Sequence, residues 1–322
     1  MQLSREQALQ AYRTMQTIRT FEERLHVEFA TGDVPGFVHL YAGEEAIATG
    51  VCMNLSDEDR IASTHRGHGH CIAKGCDVYG MMAEIYGRRD GLCAGKGGSM
   101  HIADLSKGMM GANGIVGGGP PLVCGAGLAA KHMGKKGVAV AFVGDGGANQ
   151  GTTLESLNLA SVWQLPCIFV VENNGYAEST SCKYAIACDD VSDRASGFNM
   201  PGVTVDGHDF FAVYETAGEA VKRAREGGGP TLIECKVNRY FGHFEGDAQT
   251  YRGPNEVEKI RETRDCIANF VQRVTSAGLV VPADFETVDK EVQAQVDEAV
   301  ARAQAGPKPT AADLLTDVYV SY

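Results

Sequence analysis

The sequence predicts an α/β fold: a doubly wound, mostly parallel sheet with helices on both faces and helical arms at both ends of the chain. Two short apolar runs rich in β-branched residues, 138–143 and 167–171, have the length and composition of buried strands. Residues 149–164, between them, carry apolar side chains at near-helical spacing. A strand, a helix and a strand in this order form a unit with parallel strands and a right-handed crossover. Repetition of such units predicts a parallel sheet covered by helices.

The N-terminal part is predicted to contain helices followed by a glycine-rich loop region. Residues 4–7 fit a capping box, and the apolar spacing after them predicts a helix to about Ala30. Shorter helices are predicted at 44–53 and 77–86. Residues 87–119 are irregular, yet too apolar for disorder. Because glycine lets the backbone approach a ligand closely, we expect this region to wrap one.

The rest of the chain continues the alternation of helices and strands. The predicted elements are a helix at 121–133, a strand at 203–205, a helix at 210–226, a strand at 231–237, a loop at 238–252 and helices at about 255–276 and 282–304. We therefore predict a single domain over residues 1–322. Its N-terminal helical arm covers about 1–40, and its C-terminal helices and tail cover about 254–322.

Composition and charge argue against several classes of function. The net charge of −12 disfavours nonspecific binding to nucleic acid or to an anionic membrane. No apolar stretch approaches the roughly 18 residues that a membrane span needs. The N-terminus lacks the pattern of a signal peptide. The ten cysteines include no Cys-x-x-Cys pair, so we expect reduced thiols in a cytoplasmic protein.

Both strands of the first predicted unit end in oxygen-bearing side chains. Asp145 follows the first strand within a Gly-Asp-Gly-Gly sequence, and Asn174 follows the second. Open α/β sheets bind ligands at the carboxyl ends of their strands. A carboxylate, an amide oxygen and backbone carbonyls suit Mg²⁺ that is held partly by phosphates. The alternative is that both sequences only form turns.

Two further segments carry candidate site residues. Residues 65–70 hold three histidines and Arg66, which could bind a metal, hold an anionic cofactor or form a plain surface loop. The loop at 238–252 carries His243, a candidate general acid or base at the same edge of the sheet. Its other charged residues are Glu245, Asp247 and Arg252, and the alternative is that these charges only solvate a turn.

A rival hypothesis is an NAD-linked oxidoreductase. Residues 125–130 match the Gly-x-Gly-x-x-Ala dinucleotide fingerprint, and Asp145 follows where a ribose-binding carboxylate would stand. The fingerprint requires a strand that runs into its first glycine. Residues 117–121 are glycine and proline, which cannot form a central strand. Close packing of a helix on the sheet is the simpler explanation for the small residues.

Taken together, these motifs resemble a known family. Gly144-Asp145-Gly146 with the later Asn173-Asn174 pair resembles the thiamine diphosphate motif. The chain is similar to the α subunits of thiamine-diphosphate-dependent E1 dehydrogenases of the heterotetrameric pyruvate and acetoin type, over roughly residues 41–252. The likeness also rests on residues 65–69, 95–101, 113–117 and 242–243. It implies the thiamine-diphosphate-binding fold.

The resemblance implies a role for each matching residue. Asp145, Asn174 and the backbone carbonyl of Tyr176 would hold Mg²⁺, which bridges the cofactor diphosphate. His243 would act in catalysis from a mobile loop over the diphosphate or the reacting carbon, and His68 would help to order that loop. The other implied cofactor contacts are His65, Arg66, Gly114, Val116, Gly146 and Gly147.

The resemblance also implies an activity and partners. The expected reaction cleaves a C–C bond next to a carbonyl and passes a two-carbon unit to the lipoyl group of an acyltransferase. A separate β subunit would supply the glutamate that activates the cofactor, in an α₂β₂ assembly. We therefore expect this chain to be inactive alone.

Departures from the pyruvate-type pattern favour acetoin as the substrate over pyruvate. Many pyruvate-type members have tyrosine at the position of His65, and a serine at the position of Phe244. The sequences around His65 and His243 look more like acetoin dehydrogenase α subunits. Since that serine is the one phosphorylated in regulated relatives, we expect no such control here.

Overall fold

A computed structural model describes residues 3–319. Residues 1–2 and 320–322 of the predicted domain lie outside the described part. The strands are β1 (Arg60–Ala62), β2 (Met109–Gly111), β3 (Ala139–Gly144), β4 (Cys167–Asn173), β5 (Tyr176–Ala177), β6 (Thr180–Ser181), β7 (Gly202–Asp206) and β8 (Thr231–Lys236). Six of them form one sheet in the spatial order β2-β1-β3-β4-β8-β7, and all neighbours in it are parallel. Strands β5 and β6 form a separate antiparallel hairpin.

Helices surround this sheet. They are α1 (Arg5–Phe29), α2 (Glu45–Cys52), α3 (His68–Ala73), α4 (Val78–Ile85), α5 (Gly119–His132), α6 (Gly151–Val162), α7 (Cys182–Ala185), α8 (Phe210–Arg225), α9 (Glu256–Arg264), α10 (Cys266–Ser276) and α11 (Pro282–Ala305). Within residues 3–319, no helix combines the length and the hydrophobicity needed to cross a bilayer.

The central strands bury side chains on both faces of the sheet. Val140 and Phe142 pack in one apolar cluster with residues of α2, α4 and α8. Ala139 and Ala141 pack in a second cluster with residues of α5 and α6. Because both faces are covered, these strands are continuous apolar runs rather than alternating ones. The predicted doubly wound α/β fold is confirmed.

The terminal helices pack on the domain. The predicted capping box begins α1, since Ser4 Oγ accepts from the backbone N–H of Gln7 and Gln7 Oε1 accepts from that of Ser4, at 3.2 and 2.8 Å. Phe21 of α1 and Val300 of α11 are buried in the same cluster as Val140. The two helical arms therefore contribute to one core.

Some local structure differs from the sequence prediction. Strands β1 and β2 were not predicted, because three residues are too few to show a period. The helix predicted over 255–276 is divided into α9 and α10 at Asp265, whose backbone is extended. The Asp265 carboxylate caps α10 by accepting from the backbone N–H groups of Ile267 and Ala268, at 2.8 and 3.2 Å.

The order of the strands creates a crevice at one edge of the sheet. After β1 the chain goes to β2 on one side, and after β3 it goes to β4 on the other. Ligands bind at such a switch point, outside the carboxyl ends of the strands. Gly144 of β3 pairs with Glu172 of β4. Asp145 and Asn174 therefore both lie just beyond this edge.

Candidate active site

A cavity of about 420 Å³ lies at the switch point. Its walls are residues 63–66 after β1, residues 144–147 at the end of β3, and the segment at the end of β4. The loop before α5 and the loop after β8 also contribute. The predicted site residues that line it are His65, Arg66, Gly114, Val116, Asp145, Gly146, Gly147, Asn174, Tyr176 and His243.

The proposed metal-binding oxygens lie at the ends of β3 and β4. Asp145 is buried, and burial raises the pKa of its carboxyl to about 6, although the N–H of Gly146 and the charge of Arg239 act in the opposite direction. Arg239 Nη1 donates to Asn174 Oδ1 at 3.4 Å and to the carbonyl oxygen of Tyr176 at 2.8 Å. A cationic group thus bonds two of the three oxygens. A carboxylate, an amide oxygen and a backbone carbonyl form a donor set of oxygens alone, which fits Mg²⁺.

A glycine turn connects β3 to α6 along the cavity. A Cβ on Gly146 would lie 2.5 Å from that of Ala177, so only glycine fits between the turn and the β5–β6 hairpin. One 3₁₀ turn, Gly147–Asn149, then leads into α6. The N-terminus of a helix offers free N–H groups and a partial positive charge, so this wall suits a phosphate.

Two buried glutamates that the sequence analysis missed also line the cavity. Glu44 Oε1 accepts from Asn174 Nδ2 at 2.9 Å, while its Oε2 is buried without a hydrogen-bond partner in the described chain. Burial, and then the charge of Glu172, raises the pKa of Glu44 well above its usual value and so favours the protonated carboxyl. Glu172 accepts from the hydroxyl of Tyr41, and its Oε1 lies 2.9 Å from His70 Nε2. Glu172 adjoins the Asn-Asn pair in sequence, whereas Glu44 carried no signal.

Arg66 ties together segments that are distant in sequence. It is buried, and it donates to the carbonyl oxygens of Leu40 and His243 at 2.6 and 2.9 Å. Asp247 holds the same loop, because its Oδ2 accepts from the N–H of His243 at 2.7 Å and from the hydroxyl of Tyr251 at 2.6 Å. Asp247 therefore shapes the loop of His243 without lining the cavity.

The two other charged candidates of this loop do not line the cavity either. Glu245 Oε2 lies 2.9 Å from His26 Nδ1. Arg252 donates to the carbonyl oxygens of Arg239 and Phe241, at 3.0 and 3.1 Å. These charges support the loop structure.

Three histidines meet at the cavity. The ring centroids of His39 and His65 are 4.5 Å apart, and that of His243 lies 5.1 Å from each. Burial, and then the charge of Arg66, lowers the pKa of all three rings, to about 3 for His39, about 2 for His65 and about 4 for His243. All three imidazoles are therefore neutral at pH 7. His39 was not predicted, because a single histidine before α2 forms no motif.

His68 lies outside the cavity lining, and its role in ordering the loop of His243 stays a prediction. It is fully buried on α3. Its Nδ1 lies 3.0 Å from a carboxylate oxygen of Glu22, and its Nε2 lies 2.9 Å from Ser99 Oγ. These contacts join α1 to the loop around residue 99 rather than to the loop of His243. The geometry gives His68 a structural position.

The residues of the dinucleotide fingerprint lie inside α5, and no strand leads into them. A Cβ on Gly127 would lie 2.6 Å from Cys167 Sγ, so the small residues let α5 approach the sheet. The structure therefore contradicts the fingerprint and supports the packing explanation.

Comparison with known proteins adds an independent observation. Residues 13–312 match the family described as the dehydrogenase E1 component. The chain belongs to the dehydrogenase E1 component family. This confirms the family resemblance, and it makes the chain part of an oxidoreductase. Membership of this E1 family implies thiamine diphosphate as the cofactor.

Relatives of this E1 component are similar over nearly the whole chain. Subunit alpha of acetoin:2,6-dichlorophenolindophenol oxidoreductase from Cupriavidus necator is 65% identical over 99% of the chain and 96% of the relative. The protein of the same name from Bacillus subtilis is 57% identical over the same shares. The pyruvate dehydrogenase E1 component subunit alpha of Rhizobium meliloti is 42% identical, over 98% of the chain and 91% of the relative.

Proposed function

We propose that this chain is the α subunit of an E1 component that cleaves acetoin. The observation that carries the proposal is the identity of 65% and 57% to two acetoin oxidoreductase α subunits, against 42% to a pyruvate dehydrogenase α subunit. The alternative within the family is the oxidative decarboxylation of pyruvate. Both reactions break a C–C bond next to a carbonyl.

The cavity suits thiamine diphosphate with Mg²⁺. The bound cofactor supplies the electron sink for C–C cleavage, and the protein supplies binding and orientation. Asp145, Asn174 and the Tyr176 carbonyl would hold the metal ion. Gly146, Gly147 and Arg66 would face the diphosphate.

The remaining cavity residues would orient the cofactor and the substrate. Backbone groups of Gly114 and Val116 would contact the aminopyrimidine ring, and His65 would contact the diphosphate. His243 would lie over the diphosphate or the reacting carbon. Because its imidazole is neutral at pH 7, one ring nitrogen can accept a proton while the other donates one.

An exposed apolar face is the proposed binding surface for the β subunit. This face comprises Ile115, Val116, Leu122, Leu128 and Met133 before and along α5, with Val162 and Trp163 at the end of α6, all at least 42% exposed. Lys131 Nζ donates to the carbonyl of Trp163 at 2.7 Å, which joins the two helices. The face begins at the cavity, because Ile115 and Val116 also line it. An apolar surface of this kind is typical of a protein interface.

The proposed assembly is an α₂β₂ E1 component that passes its product to a lipoyl-bearing acyltransferase in the cytoplasm. Coexpression with the β subunit and an assay of 2,6-dichlorophenolindophenol reduction test the substrate. We expect faster reduction with acetoin than with pyruvate. Faster turnover of pyruvate would select the alternative reaction.

The isolated chain should be inactive with thiamine diphosphate and Mg²⁺, because the glutamate that would activate the cofactor is expected on the β subunit. The control is the reconstituted complex at the same concentration of α chain. Comparable turnover by both samples would contradict the shared site.

The metal site has its own test. In the complex, Asp145→Ala removes a charged ligand, so we expect the affinity for thiamine diphosphate to fall by about 100-fold or more in calorimetry with Mg²⁺. The control is Asp33→Ala, at an exposed position. Unchanged affinity in Asp145→Ala would overturn the assignment of the oxygen site.

A further inference from the structure

The three histidines at the cavity have the geometry of a second metal site. One ring nitrogen from each of His39, His65 and His243 lies within 4.8 Å of the other two. Ligand nitrogens around a tetrahedral Zn²⁺ are separated by about 3.4 Å, given Zn–N bonds of about 2.0–2.1 Å. A movement of roughly one ångström by the rings would therefore close the cluster around an ion.

Two of these rings have nitrogens without partners. His39 Nδ1 and His243 Nδ1 are both buried and accept or donate no hydrogen bond in the described chain. Burying an unpaired polar atom costs free energy, and a metal ion would satisfy such an atom. Metal binding uses the neutral imidazole, whose free lone pair coordinates the ion.

The surroundings leave room for a fourth ligand. All three histidines line the 420 Å³ cavity, so solvent can reach an ion held by them. Three histidines with one open position are a common set of ligands for Zn²⁺. The guanidinium groups of Arg66 and Arg239 act against a cation. The carboxylates of Asp145, Glu172 and Glu178 line the same cavity and offset them.

We propose that His39, His65 and His243 form a binding site for a divalent transition-metal ion such as Zn²⁺. It is chemically distinct from the oxygen site of Asp145 and Asn174. Imidazole nitrogen favours Zn²⁺, whereas oxygen ligands favour Mg²⁺, so the cavity discriminates between the two ions. An ion held by the histidines blocks the space next to Arg66. On the proposed function, Zn²⁺ therefore inhibits the enzyme by competing with the cofactor or substrate.

Cobalt provides a direct probe, because tetrahedral Co²⁺ with nitrogen ligands absorbs visible light far more strongly than hydrated Co²⁺. The full-length chain, without an affinity tag, is stripped with a chelator, saturated with Mg²⁺ and titrated with Co²⁺. We expect one tetrahedral Co²⁺ per chain. His39→Gln and His65→Gln should each lower the affinity of the chain for Co²⁺ by more than about tenfold. Loss of a group that only hydrogen-bonds to a metal ligand already lowers metal affinity by about tenfold or more.

Two further variants complete the test. His65→Tyr keeps an aromatic ring but removes the nitrogen, so it should lose the signal with an unchanged circular dichroism spectrum. His132→Gln, at an exposed position on α5, should bind as the wild type does. The proposal would be overturned if the wild-type chain gave no tetrahedral Co²⁺ spectrum. It would also be overturned if that spectrum persisted in folded His65→Tyr. Because the titration contains no thiamine diphosphate, its result is independent of the proposed function.

Discussion

At the residue scale, the candidate site depends on buried polar groups that orient one another. Asn174 is the clearest case, because its amide has two chemically different ends. Glu44 Oε1 accepts from Asn174 Nδ2 at 2.9 Å. The other end of the amide, Oδ1, therefore faces the opposite side, where Arg239 Nη1 lies 3.4 Å away. Loss of a group that holds a metal ligand in place typically lowers metal affinity by about 10- to 100-fold. We therefore regard Glu44 as a positioning residue for the proposed Mg²⁺ site.

Substitution of Glu44 tests this role. Glu44→Ala removes the acceptor, so the amide of Asn174 can turn its nitrogen toward the ion. We expect the affinity for Mn²⁺, measured by electron paramagnetic resonance in the thiamine-diphosphate-bound complex, to fall by about tenfold or more. Glu44→Gln retains an acceptor oxygen and should bind Mn²⁺ nearly as the wild type does. Equal affinities in all three proteins would show that Asn174 needs no such support.

At the element scale, the site is assembled because five segments follow the carboxyl ends of the parallel strands β1, β2, β3, β4 and β8. The terminal helices pack against the core of the domain. Single side chains make some of the contacts between these helices. Asp265 both caps α10 and pairs with Arg19 of α1, whose Nη1 lies 2.9 Å from its Oδ2. One aspartate thus sets the boundary between α9 and α10 and holds the N-terminal arm.

Two substitutions separate these contributions. Asp265→Ala removes the cap and should lower the free energy of unfolding by about 1 kcal/mol or more. Asp265→Asn keeps a capping oxygen and loses only the charge, so chemical denaturation should place it between Asp265→Ala and the wild type. Equal stability of Asp265→Ala and the wild type would contradict the capping role.

The charge of Asp265 predicts how the difference in stability between the wild type and Asp265→Asn depends on pH. Burial alone would raise the pKa of Asp265, but the hydrogen bond and charge of Arg19 outweigh it and hold the pKa below its usual value. The ionised carboxylate therefore contributes stability at neutral pH. This contribution is lost as the pH falls from about 4 through the lower pKa of the folded state. The difference between the wild type and Asp265→Asn should narrow over that range, and a constant difference would exclude a charge effect.

At the scale of the whole molecule, the chain presents an apolar face beside its own cavity. The exposed side of α5 includes Leu122, Gly125 and Leu128 and carries no charged residue over those turns. Large apolar patches that face solvent usually mark a surface that another protein covers. We therefore expect this face to be covered in the assembled enzyme. The site and the proposed interface are therefore parts of one continuous surface.

A single charge on this face should disrupt assembly. Leu128→Glu places a carboxylate in the proposed interface, where it would lose water without gaining a partner. We expect weaker association with the β subunit in sedimentation velocity, with unchanged thermal unfolding of the α chain. Val281→Glu is the matched control, because Val281 is also exposed but lies outside the apolar face. Normal assembly of Leu128→Glu would show that the partner binds elsewhere.

The sequence by itself was sufficient for the strand–helix–strand unit and for Asp145 and Asn174 at its strand ends. A buried strand is a local apolar run, and the geometry of parallel strands then determines which residues follow at the same edge. The family motifs are also local, so Arg66, Gly146 and His243 could be identified from short stretches. Local chemistry, repeated along the chain, was enough for these predictions.

Only the tertiary structure brought His39 and Glu44 to the cavity and placed His68 outside its lining. Neither His39 nor Glu44 belongs to a motif, and each reaches the cavity through contacts with segments far away in sequence. His68 is part of a histidine cluster, yet the turn into α3 buries its ring against Glu22 and Ser99. The direction in which a side chain points depends on packing between segments that are distant in sequence. Such packing produces no periodic pattern that could be recognised in the sequence.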